Sequence, residues 1–290
     1  MKITVIGAGA IGTMIGAILS KKGTEISFLT KNKLNRGSII LTNFKGKTVE
    51  KKANYIDNLD ESDWFILAVK SYDVEKLIEP LNEKAGKILC CQNGIKTYNL
   101  IKSKIHNDRL AYMVTGIGSS KIRTGKARFE GSGFTFLGKF SGENGGNINN
   151  LSEEMNLAGI ECKVVRNIFG YVWLKAIINS SINPIAAYNK VENGSLSKLE
   201  LKTQVKEICH ESTIISQKIG IELPLDPWKE TKNIIKKTSN NKCSMLQDLE
   251  NGKRTEIDAI NGEIIRIAEA NNIDCKKNKE YFDKIKAITS

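Results

Sequence analysis

A polar stripe within an apolar segment is the part of this sequence best suited to chemistry. Lys175, Asn179 and Asn183 are spaced four residues apart, so on a helix they share one face. The positions around them are apolar, namely Trp173, Leu174, Ile177, Ile178 and Ile182. A buried amine and two buried amides need polar partners, which favours a lined pocket; a stripe facing solvent is the alternative. A lysine ammonium, whose pKa is about 10.4 when free, could stabilise negative charge on an oxygen and deliver a proton to it.

The second half of the chain should supply the helices that carry such a pocket. From about residue 168 onward, apolar residues recur at helical spacing, and residues 196–219 and 257–270 predict long helices. Thr255 and Asp258 have the spacing of a capping box, which would place Glu256 in the first helical turn. Glu256 would be favourable there through the helix dipole alone, so its role stays open at this point.

The first twelve residues, MKITVIGAGAIG, predict a strand, a turn and a helix that bind a dinucleotide. Residues 3–6, apolar apart from Thr4, form a run typical of a strand in a parallel sheet, and residues 13–19 suit a covered helix. Gly7 permits the tight turn, Gly9 lets backbone approach a pyrophosphate, and Gly12 lets the helix pack on the strand. The helix N-terminus offers N–H groups to phosphates. The predicted contacts are Gly7, Ala8, Gly9, Ala10, Ile11 and Gly12.

The end of the second predicted strand bears on the choice of dinucleotide. Residues 25–29 form this strand, and about 20 residues past the glycines is where an NAD site places an acidic residue for the ribose. The sequence there is Thr30-Lys31-Asn32-Lys33, without a carboxylate. Two ammonium groups favour a 2′-phosphate and hence NADPH, with Lys31 as the best candidate. Solvated lysines and use of NADH remain alternatives.

Two further residues follow predicted strands. Short apolar runs at 64–69, 87–91 and 110–114, with a helical stretch at 74–81, predict a parallel sheet of βαβ units. Ligands bind beyond the carboxyl ends of such strands, which is where Lys70 and Asn93 fall. Asn93-Gly94 alone could be only a tight turn. Residues 134–137 and 162–165 predict late strands, so we place a domain boundary near Arg166, giving domains 1–166 and 167–290.

The composition narrows the class of protein. The chain has 290 residues, 40% of them hydrophobic, enough for two ordinary domains. Its net charge of +12 makes nucleic-acid binding a candidate function. However, the lysines are scattered and no aromatic residues are interleaved with them, so we expect no nucleic-acid partner. No signal peptide or membrane-length apolar run is evident, and we expect a soluble, cytoplasmic protein. Six cysteines without a C-x-x-C pair and only two histidines predict reduced thiols and no metal site.

Several motifs together resemble the ketopantoate reductase (2-dehydropantoate 2-reductase) family. They are collinear from residue 2 to about residue 280: the glycine-rich start, VKSYD, QNG, WLKAIINSSINP, Asn193-Gly194, NKCSM, and RTEID with ING. The resemblance implies an α/β fold, with an N-terminal Rossmann dinucleotide-binding domain, a C-terminal all-helical domain and an active site in the cleft between them. The implied activity is NADPH-dependent reduction of 2-dehydropantoate to pantoate, on the route to pantothenate and coenzyme A.

The same resemblance implies a role for each matching residue. Lys175 corresponds to the catalytic general acid, and Glu256 to an acidic residue near the cofactor and the lysine. The matching substrate-binding positions are Asn179, Asn183, Asn193 and Ser244. The matching cofactor positions are the turn from Gly7 to Gly12, Lys31, Lys70, Asn93, Glu256, and Ser119 where the family usually has alanine.

Some departures and alternatives remain. Cys243 stands where the family often has a hydroxyl residue, and Lys31, where arginine is frequent, is a point charge without bidentate geometry. Reduction of other branched 2-keto acids, such as 2-ketoisovalerate or 2-ketoisocaproate, would use the same lysine and asparagines. A non-catalytic dinucleotide sensor is a third reading. The expected partner is a small 2-keto acid, and the apolar helical half could form a homodimer interface.

Overall fold

The chain folds into two compact units. The computed structural model describes residues 1–20, 24–30, 36–42, 48–131, 133–140, 146–157 and 159–289. The first unit, which we call the sheet unit, contains Met1–Gln92 and Tyr98–Ile168. The second, the helical unit, contains Asn93–Thr97 and Phe169–Ser290. A five-residue segment from the first half of the chain therefore groups with the second half.

One mixed sheet organises the sheet unit, and within the described residues it has eleven strands. In chain order they are β1 (Lys2–Ile6), β2 (Glu25–Leu29), β3 (Arg36–Thr42), β4 (Thr48–Ile56), β5 (Trp64–Leu67), β6 (Lys87–Cys90), β7 (Leu110–Thr115), β8 (Gly118–Arg123), β9 (Lys126–Gly131), β10 (Thr135–Lys139) and β11 (Cys162–Val164). Their order across the sheet is β11-β10-β7-β6-β5-β1-β2-β4-β3-β9-β8. The central six, β4-β2-β1-β5-β6-β7, are all parallel, which is the strand order of a dinucleotide-binding fold.

Helices cover this sheet and build the second unit. Those that follow strands of the sheet are α1 (Ala10–Leu19), α2 (Glu75–Asn82), α3 (Ile95–Lys104) and α4 (Gly146–Leu157). The later ones are α5 (Ile168–Tyr188), α6 (Leu199–Lys218), α7 (Pro227–Lys237), α8 (Ser244–Glu250), α9 (Asn261–Ala270) and α10 (Lys276–Ala287). The α/β class, with a Rossmann-like first part and a helical second part, is confirmed. No helix in the described part of the chain is long and apolar enough to cross a membrane.

Apolar burial explains the predicted strands. Ile3 and Val5 of β1 and Phe28 of β2 are fully buried, and Met14 of α1 packs in the same core. The strands predicted at 25–29, 64–69, 87–91, 110–114, 134–137 and 162–165 appear as β2, β5, β6, β7, β10 and β11. Strands β3, β4, β8 and β9 were not predicted. Residues 48–52 of β4 and 121–123 of β8 are all exposed, so no alternating apolar pattern marks them.

The predicted capping box is wrong. Helix α9 begins at Asn261, and residues 256–260 form turns in which the N–H groups of Ala259 and Ile260 donate to the Glu256 carbonyl at 3.0 and 3.2 Å. The Asp258 carboxylate pairs with Arg254 and Lys286, at 3.5 and 3.3 Å, instead of capping a helix. Glu256 therefore lies in a turn ahead of the helix, and the helix dipole does not account for it.

Candidate active site

The glycine-rich turn has the geometry that its spacing predicts. Gly7 has a φ of +107°, and a Cβ there would lie 3.0 Å from the backbone of Ala68. A Cβ on Gly12 would overlap the Gly7 carbonyl oxygen and lie 3.0 Å from the Ala68 Cβ. Gly9, directly before α1, is open by comparison, since its nearest neighbour would be the Ala68 oxygen at 4.0 Å. Close packing demands Gly7 and Gly12, and the room at Gly9 fits a pyrophosphate at the helix N-terminus.

Other predicted cofactor residues lie near this turn or at the strand ends. The Ser119 hydroxyl, on β8, donates to the Ala10 carbonyl in the first turn of α1 at 3.3 Å. Lys70 is partly buried and lies three residues beyond the end of β5, and its carbonyl accepts from the Asp73 N–H at 3.0 Å in a short 3₁₀ turn. Lys31 lies outside the described residues.

Helix α5 carries the predicted polar stripe. Lys175 and Asn179 are partly buried, and Asn183 is 6% exposed. Most of the remaining helix surface is buried, including Trp173, Ile177, Ser180, Ser181 and Ile185. Lys175 and Asn179 are thus partly accessible, as are Phe169, Tyr171 and Ile178, whereas Asn183 is buried. We call Lys175, Asn179 and Asn183, which share one face of the helix, the polar strip of α5.

A proline inside α5 explains one residue that the sequence analysis missed. Pro184 has no N–H, so it cannot donate the helical hydrogen bond to the Ser180 carbonyl. The Asn261 amide donates to that carbonyl at 3.1 Å and to the Asn278 side-chain oxygen, also at 3.1 Å. Asn261 thus replaces the hydrogen bond that proline removes, next to Asn183. The signal was readable, because any proline within a helical pattern frees the carbonyl four residues before it.

Cys243 connects the predicted substrate residues Asn183 and Ser244. Its thiol donates to the Asn183 carbonyl at 3.5 Å and accepts from the Leu246 N–H at 3.4 Å, which caps α8. Burial raises the pKa of the Cys243 thiol to about 11, because it disfavours the thiolate. Ser244 follows as the first residue of α8, with its side chain exposed.

Asn193 anchors the loop that leads to Ser244. Its backbone N–H donates to the Asn241 carbonyl at 3.0 Å, and its side-chain nitrogen donates to the Thr238 hydroxyl at 2.8 Å. The side-chain oxygen of Asn193 is buried, and nothing in the described part of the chain donates to it.

Asn93 and Glu256 meet within the helical unit, although 163 residues separate them in sequence. The Asn93 amide nitrogen donates to the Glu256 carboxylate at 3.2 Å. Glu256 is only 7% exposed, so the amide helps to offset the cost of burying a carboxylate. Gly94, with a φ of +89°, makes the approach possible, since a Cβ there would overlap the Ala259 carbonyl oxygen. The Lys96 N–H reaches the same oxygen at 3.5 Å.

Two family models match the chain. Residues 3–142 match the one described as Ketopantoate reductase PanE/ApbA, and residues 167–289 match its C-terminal counterpart. The 2-dehydropantoate 2-reductase of Pyrococcus horikoshii is 30% identical across 100% of this chain and 98% of its own length. The chain belongs to the ketopantoate reductase family. Members of this family are dinucleotide-dependent oxidoreductases, and so is this protein.

Other relatives and solved structures are similar to this ketopantoate reductase family member over its full length. The 2-dehydropantoate 2-reductase of Archaeoglobus fulgidus is 29% identical, covering 100% of this chain and 98% of its own. A PanE/ApbA family ketopantoate reductase from Ralstonia eutropha shares the fold, with a TM-score of 0.89, 23% identity and coverage of 100% and 98%. D-mandelate dehydrogenase, solved with NADH and anilino(oxo)acetate, shares it with a TM-score of 0.87, 22% identity and the same coverage.

The predicted site residues fall into two groups. The sheet unit holds the turn from Gly7 to Gly12, with Lys70 and Ser119. The helical unit holds Asn93, Lys175, Asn179, Asn183, Asn193, Ser244 and Glu256. Hydrogen bonds link Ser119 to the glycine-rich turn, Asn93 to Glu256, and Asn183 to the residue before Ser244. Across the described ranges, no cluster of three or more His, Cys, Asp or Glu side chains could hold a metal ion.

Proposed function

We propose that this protein reduces 2-dehydropantoate to pantoate with NADPH, a step towards pantothenate and coenzyme A. The observation that carries the proposal is the strip of Lys175, Asn179 and Asn183 on α5, one amine and two amides on one face of a largely buried helix. The full-length similarity to enzymes named 2-dehydropantoate 2-reductase supports the substrate. In this proposal residues 1–166 bind the cofactor, and residues 167–290 bind the substrate and carry the general acid.

The cofactor would be held mainly by residues of the first 166, with Glu256 as the one addition from the second part of the chain. The turn from Gly7 to Gly12 would receive the pyrophosphate, with Lys70, Asn93, Ser119 and Glu256 along the rest of the dinucleotide. Lys31 is the candidate for the 2′-phosphate, and the absence of a carboxylate in Thr30-Lys31-Asn32-Lys33 supports NADPH over NADH. When bound, the reduced nicotinamide supplies a hydride to the C2 carbonyl carbon of the keto acid.

Lys175 would handle the charge that this addition creates. Negative charge develops on the C2 oxygen, and a lysine ammonium can both stabilise it and give up the proton that completes the hydroxyl. Each turnover thus consumes one proton, which Lys175 regains from solvent. Glu256 would keep Lys175 charged and oriented. The amides of Asn179, Asn183 and Asn193 do not titrate, so they would hold the substrate's hydroxyl and carboxylate without competing for the proton, and Ser244 would donate to the carboxylate.

The first test is the Lys175→Ala variant beside a matched Lys202→Ala control. Lys202 is an exposed lysine on α6 and has no role in the proposal. We expect Lys175→Ala to lower kcat by a factor of about 10² to 10⁴, the usual range for a general acid, with NADPH binding retained. The control should match the unsubstituted protein. Unchanged turnover in Lys175→Ala would remove Lys175 from the mechanism.

One observation favours a second candidate function. The fold is shared with D-mandelate dehydrogenase, a protein solved with NADH and anilino(oxo)acetate. A reductase of other branched 2-keto acids would use the same lysine and asparagines. NADPH and NADH oxidation should therefore be measured with 2-dehydropantoate and 2-ketoisovalerate in parallel. Preference for 2-dehydropantoate with NADPH supports the main proposal, and preference for 2-ketoisovalerate supports the second. Binding of NADPH without turnover of either acid would indicate a dinucleotide sensor.

A further inference from the structure

Gln92 lies at the carboxyl end of the sheet and makes an unusual set of contacts. It is 5% exposed, and its side-chain nitrogen donates to the Leu67 carbonyl at 2.8 Å and to the Val69 carbonyl at 3.3 Å. The ladder between β5 and β6 ends with Leu67 opposite Cys90, so the Val69 carbonyl lies beyond it. Backbone hydrogen bonds still hold residues 67 and 68, since the Leu67 carbonyl accepts from the Cys91 N–H at 3.1 Å and the Ala68 N–H donates to the Ile6 carbonyl at 2.9 Å. The Gln92 amide extends this pairing to the Val69 carbonyl.

The backbone that Gln92 holds is the floor of the glycine-rich turn. A Cβ on Gly7 would meet the carbonyl group of Ala68 and a methyl of Val69, all at 3.0 Å. A Cβ on Gly12 would meet the Ala68 Cβ at 3.0 Å. Ala68 lies between the two carbonyls that accept from Gln92. A shift of this floor by a few tenths of an ångström would reach the turn directly, because no space separates them.

The position of Gln92 is itself fixed from the other side. The Tyr112 hydroxyl, fully buried on β7, donates to the Gln92 carbonyl at 2.7 Å. The Tyr112 ring packs against Tyr98 and Phe140, with centroid distances of 5.4 and 5.7 Å. Gln92 thus connects a rigid aromatic cluster on β7 to the end of β5.

The side-chain oxygen of Gln92 shows whether packing or hydrogen bonding explains a glutamine at this position. Its side-chain oxygen is buried, and no hydrogen bond reaches it from the described residues. A methionine would fill the same space without an unpaired acceptor, so packing alone does not explain a glutamine here. The two donated hydrogen bonds do, because no apolar side chain could make them.

We propose that Gln92 is a positioning residue for dinucleotide binding, which acts through the backbone of residues 67–69 on the glycine-rich turn. The inference rests on the dinucleotide site of the proposed function and is independent of which keto acid is reduced. Gln92 holds the floor of the turn, and the turn holds the phosphates. Lys70, the next residue after Val69, is placed by the same two hydrogen bonds.

The test uses Gln92→Met, which keeps the length of the side chain and removes its donors. The matched control is Ser62→Ala, which removes a buried hydrogen bond at the opposite, amino end of β5, where the Ser62 and Thr4 hydroxyls are 2.7 Å apart. Both variants should lose similar stability in urea. Only Gln92→Met should weaken NADPH binding, by about tenfold, and raise the KM for NADPH with kcat at saturation unchanged.

Two further measurements keep the inference open to refutation. Tyr112→Phe removes only the hydroxyl that anchors the Gln92 carbonyl, and it should weaken NADPH binding in the same direction even if Gln92→Met folds poorly. Hydrogen exchange of the Ala68 N–H, which donates to the Ile6 carbonyl at 2.9 Å, should accelerate in Gln92→Met and not in Ser62→Ala. Equal NADPH affinity in Gln92→Met and Ser62→Ala overturns the inference alone. Failure of the unsubstituted protein to bind NADPH or NADH overturns the proposed function and the inference with it.

Discussion

The glycine-rich turn and the polar strip of α5 are built by opposite means. At the turn, backbone lies so close to backbone that Gly12 has no room for one more carbon. In the helical unit that carries the strip, side-chain amides and a thiol reach to carbonyls and a carboxylate far away in sequence, as Asn261 does to Ser180 and Asn93 to Glu256. The first region should therefore fail when an atom is added, and the second when a donor is removed.

The largest effect is expected at the turn itself, from Gly12→Ala compared with Gly9→Ala. The added carbon at residue 12 would overlap the Gly7 carbonyl oxygen, whereas at residue 9 it meets nothing nearer than 4.0 Å. Gly12→Ala should lose about 3 kcal/mol or more of folding free energy through overpacking and fail to bind NADPH. Gly9→Ala should keep its stability within about 1 kcal/mol and still bind NADPH more weakly. Urea denaturation and NADPH titration measure both, and equal stability of the two variants would contradict the steric account.

A smaller effect is expected from Asn93→Ala and Glu256→Ala, taken alone and together. Each should lower kcat/KM, because the amide holds a buried carboxylate that the proposed mechanism places near Lys175. Their effects should fall short of additivity by about 0.5 to 3 kcal/mol, as for residues in direct contact. Steady-state kinetics of the three variants provide the measurement. Strict additivity would mean that Asn93 and Glu256 act separately.

The proline in α5 offers a comparison on stability. Asn261→Ala should cost about 1 to 3 kcal/mol, because it leaves the Ser180 carbonyl without its donor. In a Pro184→Ala background the residue at 184 has an N–H that can donate to the Ser180 carbonyl. Asn261→Ala should therefore lower the free energy of unfolding by less in that background. Denaturation curves of the four proteins test this. An identical cost in both backgrounds would show that Asn261 works only through Asn278.

The smallest effect is expected at the buried Cys243 thiol, where the measured quantity is its rate of reaction with a labelling reagent. Because the pKa of Cys243 is raised to about 11, the thiol stays protonated at neutral pH, and about 0.1% is thiolate at pH 8. Its reaction with a disulfide reagent should rise about tenfold for each pH unit until that pKa is approached. Mass spectrometry of the labelled protein, with Cys243→Ser as control, follows this site. Rapid labelling of Cys243 at pH 7 in the folded protein would contradict the raised pKa of this thiol.

The two regions also differ in how far sequence could predict them. Gly7, Gly9 and Gly12 are fixed by local spacing, and the apolar strands beside them are fixed by burial, so both were predictable. The pairing of Asn93 with Glu256 depends on a backbone approach at Gly94 and Ala259 that no local pattern encodes. Glu256 was placed in a helix because Thr255 and Asp258 match a capping pattern, but tertiary ion pairs took Asp258 away. Side-chain pairing over long distances is what the sequence alone does not reveal.

The segment Asn93–Thr97 has a consequence for how this protein can be divided or recombined. It follows β6 in sequence, yet its amide, its glycine and its Lys96 N–H all contact residues 256–259. A fragment that ends at residue 166 would keep this segment but lack residues 256–259, so the groups that contact them would be exposed to water. A chimera that exchanges the second half between two relatives at one junction would seat Asn93 and Gly94 on a foreign turn. A working exchange has to transfer residues 93–97 together with the helices.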